Sequence, residues 1–246
     1  MRKETDLNQV KDLAKTFLML DIAETRMSPL IVRHPFTDTG IVAFRKEDGG
    51  IGQANLLEDK RELQKWRRQM TEQIDRSESA FHIHLMVTKP YRLAFLKYAQ
   101  PYLSQKDFSE ILNDAWVRSE SPNNDPNVSQ KELLAMFRDA EPTDLMDEDE
   151  YLQFKQLDDT VTVYRGVTSY NAEKVKALSW SLDYDKAKWF AHRFGEDGKV
   201  YEAQSDKEHI LAYFNSRNEQ EVIVDPKHLI DISEAEGMDD GFLLSQ

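Results

Sequence analysis

An α+β protein is predicted by a change of pattern along the chain. Up to about residue 150, apolar residues recur at helical spacing; from about Val161 they gather into short β-branched runs. Few helices separate those runs, which points to a β-sandwich rather than a doubly wound parallel sheet. The division is a mainly helical 1–150 and a β-rich 151–246. No Gly/Ser/Pro-rich linker lies between them, so the two are expected to form one compact unit.

In chain order, residues 10–24 have the helical pattern, with Leu13, Phe17 and Leu20 turned inward. Residues 41–44 suit a short strand, closed by the turn-rich 48–52; no Gly-Lys-Ser/Thr follows those glycines, so they are no phosphate loop. A charged helix follows over 56–76, with Leu57, Leu63, Trp66 and Met70 as its buried stripe and its basic residues on a wet face. Phe81-His82-Ile83-His84 reads as a strand with both histidines on one face. That spacing suits a metal, but no third ligand is near, so packing is the reading. Helices are expected at 91–98 and 104–118, the second capped by Ser104. Trp116-Val117-Arg118-Ser119-Glu120 leads into the polar loop 119–127, a loop that could lie over the cleft and contact substrate. Residues 129–137 and 146–156 are again helical, and the acidic run 147–150 reads as a solvated helix start. The β-favouring runs are 161–164, 178–182, 200–203, 210–213 and 222–224. One helix, 185–194, interrupts them with Ala187, Phe190 and Ala191 facing inward.

Composition narrows the function. The 246 residues carry a net charge of −13 and no cysteine, which excludes disulfides and thiolate metal sites. Residues 1–100 sum to about +3 and residues 101–246 to about −16. The acidic part would repel nucleic acid, so a protein partner is favoured over a nucleic acid. A polar start, Met1-Arg2-Lys3-Glu4-Thr5-Asp6, and no run approaching roughly 18 apolar residues predict a cytoplasmic protein that does not engage a membrane.

Three short motifs in the last third carry chemistry. Arg165, in Tyr164-Arg165-Gly166, ends a β-branched run, where a guanidinium can fork onto phosphate oxygens; Gly166 lets backbone approach a flat ligand. Ser179 and Ser181 flank Trp180 in an extended segment, so both hydroxyls face one way and the tryptophan faces the other, toward packing. Glu219 and Glu221 enter an apolar run; in extended chain their carboxylates share a side, roughly 7 Å apart. One carboxylate can stabilise an oxocarbenium-like transition state while the second orients or deprotonates an acceptor.

In that order, these motifs resemble the Arg-Ser-Glu class of mono-ADP-ribosyltransferases, the family of cholera-toxin-like, C2/iota-type and vertebrate ecto-enzymes. The likeness spans about 160–226 and includes Ser179-Trp180-Ser181-Leu182 followed by Ala187-Lys188-Trp189-Phe190-Ala191, which is similar to the family's Ser-Thr-Ser strand and alanine-aromatic helix. Trp180 stands where threonine is commoner. The resemblance implies an ADP-ribosyltransferase-like β-sandwich around an NAD⁺ cleft, with the helical part as cap, targeting element or half of the cleft. It implies that Arg165 binds the NAD⁺ phosphates and Gly166 offers backbone to nicotinamide. Ser179, with Ser181 in the same NAD⁺-binding set, holds the catalytic Glu221, and Phe194 stacks on nicotinamide from a closing loop over 194–198. Glu219 would meet the acceptor, an arginine where Glu-x-Glu is present, and 213–218 would face it through Tyr213 or Phe214. NAD⁺ is then a substrate and no metal is needed.

Three functions follow. The first is a transferase moving ADP-ribose to a macromolecule, foremost a protein side chain such as arginine, as a toxin or phage effector would. The second is an NAD⁺ glycohydrolase toxin with water as acceptor. The third is a non-enzymatic acidic inhibitor module on the same fold.

Overall fold

Asp6 starts the first helix by accepting a hydrogen bond from the Gln9 N–H. That helix, α1 (Leu7–Leu18), buries Val10, Ala14 and Leu18. The inward stripe is therefore turned from the expected one: Leu20 lies beyond the helix and is exposed, while Phe17 is half-buried with its ring edge-on to Phe95. The computed structural model describes the chain except residues 1–2, 27, 29, 46–48, 170–173, 196 and 236–246. The described residues form two units, Met1–Leu145 and Met146–Gln246.

In the first unit, β1 (Ala23–Glu24), β2 (Ile31–His34) and β3 (Thr37–Thr39) make a small antiparallel sheet that residue pattern alone does not announce. Next, β4 (Ile41–Arg45) and β5 (Ile51–Asn55) pair as a hairpin around the predicted turn. Helix α2 (Lys60–Arg76) is capped by Asp59; its expected stripe is only half-buried, and Ile74 is its one fully buried residue. The segment read as a histidine-bearing strand is instead a helix, α3 (Ala80–Met86), capped by Ser79. At helical spacing His82 and His84 point to different sides; His84 is buried and His82 exposed. The helices α4 (Arg92–Ala99), α5 (Gln105–Val117, capped by Ser104), α6 (Gln130–Asp139, with a Ser129/Glu132 capping box) and the short α7 (Pro142–Leu145) complete the unit. Trp116, which leads into the polar loop 119–127, is a core residue, its ring edge-on to Phe137 at 4.9 Å.

The second unit opens with α8 (Glu148–Gln156). Its sheet contains β6 (Thr160–Val167), β7 (Ser179–Ser181), β8 (Lys199–Asp206), β9 (Ile210–Phe214), β10 (Glu221–Val224) and β11 (Ile230–Glu234), with helix α9 (Tyr184–His192) between β7 and β8. All pairings are antiparallel, in the order β11-β8-β6-β7-β10-β9. The α+β class is as expected, and the strands share one hydrogen-bonded order. That order has a weak point. β6 and β8 pair over eight residues, whereas among the described residues β6 meets β7 through one pair, Tyr164 with Ser181. Two three-stranded halves thus join at a narrow seam.

Helix α9 lies so close to β6 that a Cβ on Gly166 would sit 2.1 Å from the Ala187 carbonyl oxygen and 2.6 Å from the Ala191 nitrogen. Gly198 meets the same helix, at 2.2 Å from the Ala191 carbonyl oxygen. Helix packing, rather than ligand approach, therefore requires glycine at 166.

Candidate active site at the sheet seam

The seam brings three of the expected residues together. Where β6 and β7 diverge, the Ser179 carbonyl accepts a 2.6 Å hydrogen bond from Arg165 Nη1. The Ser179 hydroxyl in turn donates to Glu221 Oε1 at 2.5 Å, the short separation of an O–H facing a carboxylate. Glu221 pairs with Ser181 across β7 and β10, so its side chain reaches diagonally to Ser179. Both serine hydroxyls point to β10 or its entry, as alternation predicts: Ser181 Oγ donates to the Glu219 carbonyl. Trp180 is buried on the other face, with its indole N–H on the Ala177 carbonyl. The exposed tryptophan here is Trp189, on α9.

Burial makes these charges expensive. β10 is buried along its whole length, with Val222, Ile223 and Val224 fully enclosed behind Glu221, itself 7% exposed. A carboxylate at the head of an apolar strand is held only with a donor beside it, and Ser179 supplies one. Arg165 is more costly still. Desolvation pulls its pKa down to about 10, Arg193 adds to the fall, and the charge of Glu221 opposes it. Its Nε is buried and has no hydrogen-bond partner among the described residues. A half-buried guanidinium beside a seam, with one nitrogen fixed on a carbonyl, is suited to receive an anionic oxygen.

The other expected residues divide. Glu219 does not share an extended strand with Glu221: Gln220 has φ 45° and β10 begins at Glu221, which breaks the two-residue alternation between the carboxylates. The Glu219 side chain pairs instead with Arg217, Nη2 to Oε2 at 2.9 Å. Tyr213 and Phe214 do not lie in an acceptor-facing loop. Both belong to β9 and are 5% and 2% exposed, because this stretch packs in the sheet. Tyr213's pKa is raised by burial first and Glu150 second. The exposed loop is 215–220, cross-linked by Asn215 Oδ1, which accepts from the Gln220 N–H, and by Asn218 N–H on the Asn215 carbonyl. Phe194 lies in the 3-10 turn Arg193–Gly195; its side chain falls outside what the structure describes, as does residue 196 of the expected closing loop. Gly166 keeps its place next to Arg165, with its side committed to α9.

Sequence reasoning missed Glu150. Instead of a solvated helix start, its carboxylate is buried, and Oε1 accepts the backbone N–H groups of Asn215 and Ser216 at 2.7 and 3.1 Å. The Asp147-x-x-Glu150 spacing does signal a capping box, which is present, but nothing local names the distant loop. Among the described residues no group of three His, Asp or Glu side chains is arranged to hold a metal, and no helix is long and apolar enough to cross a membrane. Compared with protein-family models, curated proteins and solved structures, the chain matches none.

Proposed function

We propose that the chain is a mono-ADP-ribosyltransferase that moves ADP-ribose from NAD⁺ to a macromolecular acceptor, foremost a protein side chain such as arginine, and releases nicotinamide. One observation carries this reading: the continuous link from Arg165 through Ser179 to Glu221. In it, an anion-seeking guanidinium and a buried, pre-oriented carboxylate lie within one residue of each other. Arg165 would bind pyrophosphate oxygens with its guanidinium, whose Nη1 is already fixed on the Ser179 carbonyl. Glu221 would face the nicotinamide ribose. As the C1″–N bond breaks, its electron pair leaves on the nicotinamide ring nitrogen and positive charge grows on the ribose. A carboxylate fixed beforehand by Ser179 stabilises that charge without reorganising. The acceptor then bonds to C1″ and gives up a proton, for which Glu219 is the nearest carboxylate in sequence.

A second reading, NAD⁺ glycohydrolase, gains from Glu219. Its carboxylate is engaged by Arg217 and stands off the strand that carries Glu221, so water is left as a simple acceptor. The test is nicotinamide release from NAD⁺ by purified protein, with and without cell lysate, for wild type and Glu221→Ala. Release that rises with lysate, labels a protein and vanishes in the variant supports the transferase. Strong lysate-independent release supports the glycohydrolase. Release that persists in Glu221→Ala, or none at all, rules out the catalytic reading of Glu221.

A further inference from the structure

Loop 215–220 is cross-linked by hydrogen bonds although much of it is exposed, and its anchor lies outside it. Residues 215–218 are exposed, yet two non-glycine residues of the loop hold left-handed backbone, Asn218 at φ 55° and Gln220 at φ 45°. Such conformations persist only where surrounding contacts over-determine them, and they gather where a loop has a task. The overdetermining contact is Glu150. From the first turn of α8, this carboxylate is 5% exposed and takes both leading N–H groups of the loop on one oxygen. Its other oxygen closes the capping box on the Asp147 N–H. Asn215, once seated there, holds Gln220 through Oδ1, and the Glu219 carbonyl is held by Ser181. The chain of bonds runs from helix to loop to the residue before Glu221.

We infer that Glu150 is the positioning residue of the acceptor side: it sets the loop that presents Glu219 and Arg217 beside the reacting centre. This rests on the ADP-ribosyl reading for the loop's task. Glu221 itself is held separately, by β10 and by Ser179. Loss of Glu150 should therefore separate the two half-reactions: NAD⁺ cleavage stays, and delivery to an acceptor fails.

The test uses the full chain as wild type, Glu150→Ala and Glu150→Gln, with agmatine as a guanidinium acceptor. Amide hydrogen exchange at Asn215 and Ser216 should be slow in wild type and Glu150→Gln, whose carbonyl oxygen still accepts both N–H groups, and fast in Glu150→Ala. Transfer to agmatine should fall between about tenfold and 100-fold in Glu150→Ala, with acceptor-free nicotinamide release within about twofold of wild type. Glu150→Gln should restore most of the transfer. Equal exchange of the two amides in wild type and Glu150→Ala overturns the anchor. A parallel fall of cleavage and transfer overturns the positioning role, since a merely unstable protein loses both. Cleavage without transfer to agmatine or lysate protein in wild type overturns the presenting role. A wild type that does neither removes the ADP-ribosyl reading, and the exchange measurement still decides the anchor.

Discussion

Two arginines, one buried in the helical unit and one half-buried in the sheet unit, have opposite surroundings. Arg92 in the helical unit donates from Nε to the Val87 carbonyl and from Nη1 to Asp114 Oδ2 at 2.8 Å. Asp114 also takes His84 Nε2 at 2.9 Å and Arg118 Nε at 2.5 Å, so its charge is fully surrounded by donors. Arg165 in the sheet unit has a carbonyl for one nitrogen, an unpartnered buried Nε, and a carboxylate, Glu221, already engaged by a serine. The Asp114 carboxylate is saturated with donors, although His84 Nδ1 beside it is buried without a partner. In the unsaturated cluster a serine stands between arginine and carboxylate, so the two opposite charges do not bond directly.

The largest effect expected concerns the unsaturated cluster. Glu221→Gln keeps shape and hydrogen bonding but removes the charge, so nicotinamide release should fall by about 100- to 1,000-fold, with the circular dichroism spectrum unchanged. In the saturated cluster the corresponding cost is stability. Asp114→Ala strands Arg92 in the core and should lower the unfolding free energy by about 3–5 kcal/mol, read by denaturant titration.

A third prediction sets the arginines side by side. Arg92→Met leaves Asp114 short of a donor and should cost about 1–3 kcal/mol. Arg165→Met removes a desolvated cation whose neighbour is held by Ser179, and should leave stability within about 1 kcal/mol of wild type. Only the second should abolish the thermal stabilisation by NAD⁺ that the proposed function predicts for wild type, since a bound ligand favours the folded state. Equal losses of stability would break the comparison.

The pH dependence has a definite sign. Burial holds His84 below its usual imidazole range despite Asp114, so the folded state resists a proton that the unfolded state accepts. Stability of the helical unit should therefore decline as pH falls through the ordinary histidine range. Asp114 is depressed too: its own burial acts upward, but the bonds from His84 and Arg118 and the charge of Arg92 outweigh it. Its contribution is present above the ordinary carboxylate range and lost as pH falls through its lowered pKa. His84→Gln should shrink the first decline, to which buried His34 also contributes, and should move the second to higher pH because Asp114 loses the charge of His84, as measured by melting temperature against pH. The smallest effect is at Arg217→Ala. An exposed ion pair contributes about 0–1 kcal/mol, so stability should barely move, while a freed Glu219 should lower the KM for agmatine.

Much of this was legible in local pattern. The Ser104 cap, the helix from about residue 129, the strand at residues 41–44, the change to β structure near 160 and the shared face of Ser179 and Ser181 all depend on spacing within a few residues, and the structure has them. What failed depends on distant partners or on one backbone angle. A single left-handed residue, Gln220, undoes the alternation that would place Glu219 with Glu221. Tyr213 and Phe214 read as loop aromatics until a strand on their own side buries them. His82 and His84 fit either period over so short a run, and Ser79 decides for the helix by capping it.

By itself, the sequence determined the α+β class, most helix starts and the identity of an arginine, a serine and a glutamate with matched chemistry, because caps and periodicity act over one or two turns. Tertiary structure decided which charges are satisfied. It left Arg165 with a buried, unpartnered Nε and seated Glu150 under a loop 65 residues away, because desolvation and hydrogen-bond completion depend on everything that folds around a group, wherever in the chain it lies.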